Sequence, residues 1–195
     1  MKIVPAILTD DPQELDQLLR EIRDSKKFER VQIDFVDGEY VNNKSLRVEE
    51  CKSISNYPEL RFDAQLMVVE KNLWRWVQET RELGFDRIIP QVESVSRPED
   101  FDCLAMDFHS PVAVLEPYLA RLKYVLVMSV EPGRGGQGFA EEAIERIREV
   151  GEIREIGGYK YKIGVDGGIL KEHLKMLEEA GADEVAVGAK RVLLW

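Results

Sequence analysis

Residues 124–138 read Tyr124-Val-Leu-Val-Met-Ser-Val130 and then Glu131-Pro-Gly-Arg-Gly-Gly-Gln-Gly138. The first half is an apolar, β-branched run of strand length, and the second is a cluster of turn-forming residues. Beyond it, Ala140–Ile156 sets Ile144, Ile147, Val150, Ile153 and Ile156 at intervals of three among alternating Glu and Arg, the pattern of a helix with one buried side. Lys162–Val165 is a second short strand, ending at Asp166-Gly-Gly168. A strand, a helical crossover and another strand make a parallel pair, because the return path consumes the helix.

The same unit recurs outward in both directions. Lys2–Leu8, Arg30–Phe35, Arg61–Val69, Arg87–Val95, Val112–Glu116 and Glu184–Gly188 complete a set of eight predicted strands. Between them, Leu15, Leu18, Leu19 and Ile22 follow one helical stripe behind Asp10 or Asp11 and Pro12. Leu73, Trp76, Val77 and Thr80 do the same before a stop at Gly84, and Lys171–Ala180 ends at Gly181. Eight units in 195 residues is about 24 residues each, near the lower limit of a (β/α)₈ TIM barrel. An open, doubly wound sheet is the competing architecture. Apolar residues on both strand faces and the lack of a G-x-G-x-x-G sequence at the first helix favour the barrel. No linker or composition break divides the chain, so residues 1–195 are expected to form one barrel domain. Only Pro117–Lys123 separates the fifth and sixth predicted strands, and little chain follows the eighth. Shortened fifth and eighth helices are therefore expected.

Composition narrows the function. With 27 Lys+Arg against 37 Asp+Glu the net charge is −10, which disfavours nucleic acid or an anionic membrane as the main partner. Cys51 and Cys103 stand apart, and His109 and His173 lie far from each other, so neither a disulfide framework nor a His/Cys metal cage is indicated. The first residues do not read as a signal peptide and no run approaches a membrane span, so a cytoplasmic protein is expected.

In a barrel of this type the working groups gather at the C-terminal ends of the strands. Asp34, between Ile33 and Phe35, and Asp166, after Val165, are carboxylates set in apolar strands, a costly placement unless they are paired or working. Two such groups facing each other across a mouth can take a proton from one face of a carbon and return it to the other; each can equally cap a loop. Gln65, Gln91, Glu93, Glu116, Ser129 and Glu131 are further polar residues placed at strand ends, while Asp37 before Gly38 reads as a turn pair. Gly133, Gly135 and Gly136, Gly167 and Gly168, and Gly188 with Ala189 form three small-residue loops after the last strands. Such loops can wrap a phosphate with backbone N–H groups, with Arg134 adding charge, or can be plain turns. No lysine is placed to form a Schiff base: Lys162 starts its strand and Lys190 follows the eighth.

At these residues the sequence resembles the ribulose-phosphate 3-epimerase family over nearly its whole length. Ile3-Val-Pro-Ala-Ile-Leu8 is similar to that family's A-P-S-I-L opening, Val31-Gln-Ile-Asp-Phe-Val-Asp-Gly38 with Tyr40-Val-Asn42 to H-V-D-V-M-D-G-x-F-V-P-N, and Asp63-Ala-Gln-Leu-Met-Val-Val-Glu70 to D-V-H-L-M-V-x-x. Val125–Gln137 resembles V-L-V-M-T-V-N-P-G-F-G-G-Q, and Gly164–Gly168 and Ala180–Asp183 match closely. The resemblance implies a ribulose-phosphate-binding barrel that inverts carbon 3 of ribulose 5-phosphate, giving xylulose 5-phosphate, through an enediolate. It also implies acid/base roles for Asp34 and Asp166 and a phosphate grip at Gly133–Gly136, Gly167–Gly168 and Gly188–Ala189. Substrate contacts fall on Gln32, Gln65, Met67, Met128 and Arg134.

The departures from the pattern concern the metal. The family's divalent cation is held by two histidines and the two aspartates, and here the histidine positions are Gln32 and Gln65, with a third histidine position at Gln91. An amide oxygen is a poor ligand for zinc and suits only a hard cation. Asp34 and Asp166 are the metal-ligand candidates only if a cation binds at all. The glutamines either donate N–H groups to a developing oxyanion or simply hydrogen-bond the aspartates. Ala6, Val36 and Ala189 replace an early serine, a methionine and a late serine of the pattern. Three functions remain open at this level: a phosphosugar epimerase with weakened or no metal dependence, a barrel enzyme for another phosphorylated substrate (altered by Glu131 and Arg134), and a non-catalytic sugar-phosphate binder. The clipped eighth helix and the apolar end Val192-Leu-Leu-Trp195 suggest a flank covered by a second copy, and the resemblance also implies a homo-oligomer.

Overall fold

The computed structural model describes residues 1–195. Eight strands run in parallel: β1 Lys2–Ile7, β2 Arg30–Val36, β3 Arg61–Met67, β4 Arg87–Pro90, β5 Cys103–Met106, β6 Tyr124–Met128, β7 Lys162–Asp166 and β8 Glu184–Gly188. Their order is β4-β3-β2-β1-β8-β7-β6-β5, and a single parallel bridge from Gln91 to Ala105 joins the two ends. The sheet is thus a barrel, as expected, closed at its weakest seam by one residue pair.

Alternation along each strand separates two cores. Val31, Ile33 and Phe35 of β2, Val125 and Val127 of β6, and Ile163 and Val165 of β7 point outward into a large apolar layer beneath the helices. Ile89, Cys103, Ala105, Tyr124, Leu126 and Met128 form a smaller cluster inside the barrel. The polar strand residues take the inward parity. Nearest the N-terminal end, Asp63 binds Arg30 and Arg87, Arg87 also reaches Glu184 Oε2 at 2.7 Å, and its guanidinium lies 3.9 Å from the centre of the Tyr124 ring. This network plugs the barrel floor.

The helices are α1 Pro12–Ser25, α2 Glu70–Leu83, α3 Ala143–Gly157, α4 Leu174–Glu179 and α5 Ala189–Val192. Asp11 caps α1 by accepting from the Gln13 N–H at 2.8 Å, and Leu15, Leu18, Leu19 and Ile22 are buried. α2 ends at Gly84 in the left-handed conformation, where the Cβ of any other residue would be strained. In α3 only the first part of the predicted stripe is buried: Ile156 is 89% exposed, because the helix outlasts the sheet it covers.

One predicted strand is corrected. Val112–Val114 is a 3₁₀ turn between Pro111 and Leu115, Glu116 lies in the turns that follow, and the fifth strand is Cys103–Met106. Seven residues could not have carried a parallel strand back to β6. The predicted economies at the fifth and eighth helices are present: the β5–β6 connection holds only 3₁₀ and turn structure, and α5 has four residues. Two further crossovers are trimmed as well, since short 3₁₀ turns stand in for a helix after β2 and after β4. The apolar C-terminal end mostly docks inward: Val192 is buried, Leu193 and Trp195 pack on the core, and Leu194 alone is 87% exposed. No helix is long and apolar enough to cross a membrane.

Candidate active site

A cavity of about 310 Å³ opens at the C-terminal ends of the strands, at the small end of the range for ligand pockets. Asp34 at the end of β2 and Asp166 at the end of β7 stand on its floor. Between those strands run β1 and β8, whose inward residues there, Ala6 and Ala186, are small and leave the centre open.

The two carboxylates share a donor. Gln32 Nε2 lies 2.8 Å from Asp34 Oδ1, 2.7 Å from Asp166 Oδ2 and 2.9 Å from Gln65 Oε1. The two aspartate oxygens are therefore no further apart than the first two of those distances combined. Burial, and next the Asp166 charge beside it, hold the Asp34 carboxyl well above the usual carboxylate range, outweighing the Gln32 hydrogen bond. Burial likewise pushes Asp166 up to about 6, against hydrogen bonds from Gln32 and the Gly167 N–H. Burial thus holds both carboxyls toward the protonated form, as it does for two acids set side by side.

Gln32 does not line the cavity. It is 1% exposed and sits one layer below the aspartates, which corrects its expected role as a direct substrate contact. Gln65, Met67, Met128, Gly133, Arg134, Gly135, Gly136, Gly167, Gly168, Gly188 and Ala189 do line it. Gln65 turns its N–H₂ toward Met128 Sδ at 3.1 Å.

The three small-residue loops converge on the far side of the cavity. Gly167 and Gly168 have φ +124° and +63°, and a Cβ on Gly168 would run into the Gly138–Phe139 backbone, so the loops after β6 and β7 nest only because the residue is glycine. Gln137 Nε2, placed 2.7 Å from the carbonyls of both Glu131 and Arg134, braces the β6 loop. Asn43 Nδ2 donates to the Gly133 carbonyl at 2.6 Å, and Ser129 Oγ sits 2.7 Å from the Gly167 carbonyl. Of these supports the sequence reading places Ser129 at a strand end but gives no role to it, to Gln137 or to Asn43; a side-chain amide or hydroxyl beside a glycine loop is too common a signal to stand out.

Charge at this end is mixed. Arg134 is exposed without an ion pair, Lys190 reaches the cavity from α5 but is bound by Glu14, and Glu131 pairs with His109 at 2.5 Å. Lys190 is thus nearer the mouth than its sequence position suggests. Asp37 is the turn residue expected of it: its carboxylate accepts from the N–H groups of Glu39, Tyr40 and Val69 and from Asn72, tying the β2 and β3 loops together. Gln91 is buried outside the cavity and donates to Asp107, its own Oε1 having no partner.

The resemblance implies a divalent cation at the aspartates, and the donor set does not fit one. No cluster of three His, Cys, Asp or Glu side chains has ligating geometry. The point on which the oxygens of Asp34, Asp166 and Gln65 converge is filled by the nitrogen of Gln32.

Among known proteins, the Ribulose-phosphate 3 epimerase family matches residues 2–192. The ribulose-phosphate 3-epimerase of Bacillus subtilis is 29% identical, over 97% of this chain and 91% of that protein. That of Methanocaldococcus jannaschii is 32% identical, over 98% and 84%. In fold, a mutant tryptophan synthase alpha-subunit from Pyrococcus furiosus superposes with a TM-score of 0.66 at 18% identity, covering 96% of this chain and 87% of that one. Phosphoribosyl anthranilate isomerase from Thermus thermophilus gives 0.64 at 12%, covering 99% and 95%. A sequence match that runs from the first strand through the last outer turn places this chain in the ribulose-phosphate 3-epimerase family.

Proposed function

We propose that the barrel, formed by residues 1–195 as one domain, epimerises carbon 3 of ribulose 5-phosphate to xylulose 5-phosphate. The observation that carries this reading is the pair of aspartates on β2 and β7, bridged by one amide nitrogen and both raised by burial. Ionised Asp166 takes the proton from carbon 3, the C–H electrons form the enediolate toward the neighbouring carbonyl, and protonated Asp34 returns a proton to the opposite face. The other epimer uses the two in exchanged roles. Gly133–Gly136, Gly167–Gly168 and Gly188–Ala189 hold the phosphate through backbone N–H groups, with Arg134 facing the same space. Family membership and the names of the relatives support the substrate.

The test is NMR of ribulose 5-phosphate in D₂O. Deuterium is expected at carbon 3, and Asp34→Asn or Asp166→Asn should each lower the rate ~10²–10⁴-fold. Exchange that survives both substitutions removes the two-aspartate reading. Phosphate-dependent thermal stabilisation without exchange leaves another phosphorylated substrate, or a non-catalytic binder. The homo-oligomer implied by family membership belongs to the same proposal, and a monomer mass in dilute solution removes it.

A further inference from the structure

Gln32 is buried, does not line the cavity, and spends one nitrogen on three oxygens. A carboxamide nitrogen carries two protons, so three acceptors compete for two hydrogen bonds. Its orientation follows from its neighbours: Gln65 Oε1 and an ionised Asp166 are acceptors with no proton to give, so the nitrogen of Gln32, not its oxygen, faces them. Gln65 locks the arrangement, since its Oε1 faces Gln32 and its N–H₂ faces Met128 Sδ.

Turnover moves a negative charge from one aspartate to the other. A donor standing 2.7 Å from one and 2.8 Å from the other follows that charge without moving its heavy atom. It also holds the two carboxyl groups at a fixed spacing. Those are the electrostatic services a bound cation would give the same pair.

We propose that Gln32 is a positioning residue standing in the place of a cation, so that this barrel exchanges the carbon 3 proton without a divalent metal. The inference rests on the two-aspartate reading, and it makes a separate prediction about metal binding.

Two measurements test it together. Calorimetric titration of the EDTA-treated protein with Zn²⁺ and Mn²⁺ is expected to show no site that Asp34→Asn removes. Gln32→Glu, which keeps the shape and replaces the donor with a third carboxylate, is expected to gain Mn²⁺ binding. In the exchange assay the wild type should be indifferent to EDTA. Gln32→Met should lose ~10²–10³-fold in kcat with KM little changed, and Gln32→Glu should be inactive in EDTA and partly restored by Mn²⁺. Wild-type exchange that collapses in EDTA and returns with Zn²⁺ or Mn²⁺ overturns the inference and leaves the epimerase reading intact. If no condition gives exchange, the epimerase reading falls and metal-free exchange falls with it; a wild-type site for either metal that needs Asp34 overturns the inference whatever the exchange assay shows.

Discussion

Asp166, the base of the proposed reaction, is also a stability cost. Its carboxyl sits at about 6 in the folded protein against an ordinary 3.8, so between those values the folded state holds a proton the unfolded chain has released. That stabilisation is complete below the ordinary value and is lost as pH rises through about 6. At pH 7 the ionised group therefore costs up to ~3 kcal/mol. Asp166→Asn should raise Tm by several degrees at pH 7, with the gain shrinking toward pH 4, while exchange activity disappears. A Tm gain independent of pH would disprove the assignment. In the wild type, the acid limb of the rate profile should fall near pH 6, as a property of the pair. Both aspartates were legible in the sequence because a carboxylate in an apolar strand has few bland explanations. Gln32 shares inward parity with Asp34 yet lies outside the cavity lining, because depth within a barrel is set by strand tilt and shear, which periodicity does not encode.

The same limit explains which elements were legible. Strands with long outer helices beside them, such as β6 and β7 around α3, announce themselves by a change of period from two to about 3.6. β5 is four residues between Asp102 and Asp107 with almost no outer helix, whereas Val112–Glu116 has strand composition but stands between Pro111 and Pro117. Connection length was the better guide there, because seven residues cannot return a parallel strand. The glycine loops were legible as a set, yet what fixes them is mutual contact. Gly168→Ala would put a methyl into the Gly138–Phe139 backbone at a φ of +63°, a strained conformation costing ~1–2 kcal/mol before the clash. KM for the sugar phosphate is expected to rise ~10-fold or more, equivalent to ~1.4 kcal/mol of lost binding. Gly151→Ala is the control: its new Cβ in mid-α3 meets Ile163 Cδ1 at 3.9 Å and the Ala180 carbonyl oxygen at 4.0 Å, both ordinary contacts, and it should gain ~0.5–1 kcal/mol of stability with KM unchanged. Equal KM in both variants would mean that the β6 and β7 loops do not hold the phosphate.

Across the whole barrel, the polar interior divides into two ends with different work. The mouth holds carboxylates with an amide but no cation beside them, while the floor holds carboxylates matched to cations. Asp63 is 1% exposed with Arg30 and Arg87 on its two oxygens, and Glu184 takes Arg87 and Lys162. Even so, burial raises the Asp63 carboxyl above its usual range, whereas Glu184, also buried, is lowered by Arg87 and Lys162. Arg87 is the hinge of the network, since it touches both carboxylates and the Tyr124 ring. Arg87→Met would keep most of the packing but leave Asp63 with Arg30 alone and Glu184 with Lys162. Removing one partner from a buried network costs ~3–5 kcal/mol, and for a chain of this size that lowers Tm by ~10 °C. Because the interior cluster of Leu126 and its neighbours lies between the floor and the mouth, kcat and KM at 25 °C should stay near wild type. A thermal melt beside the exchange assay separates the two ends: a variant with lost stability and retained turnover assigns the floor to folding. Equal loss of kcat at a temperature where the variant is folded would show that the floor positions the aspartates above it.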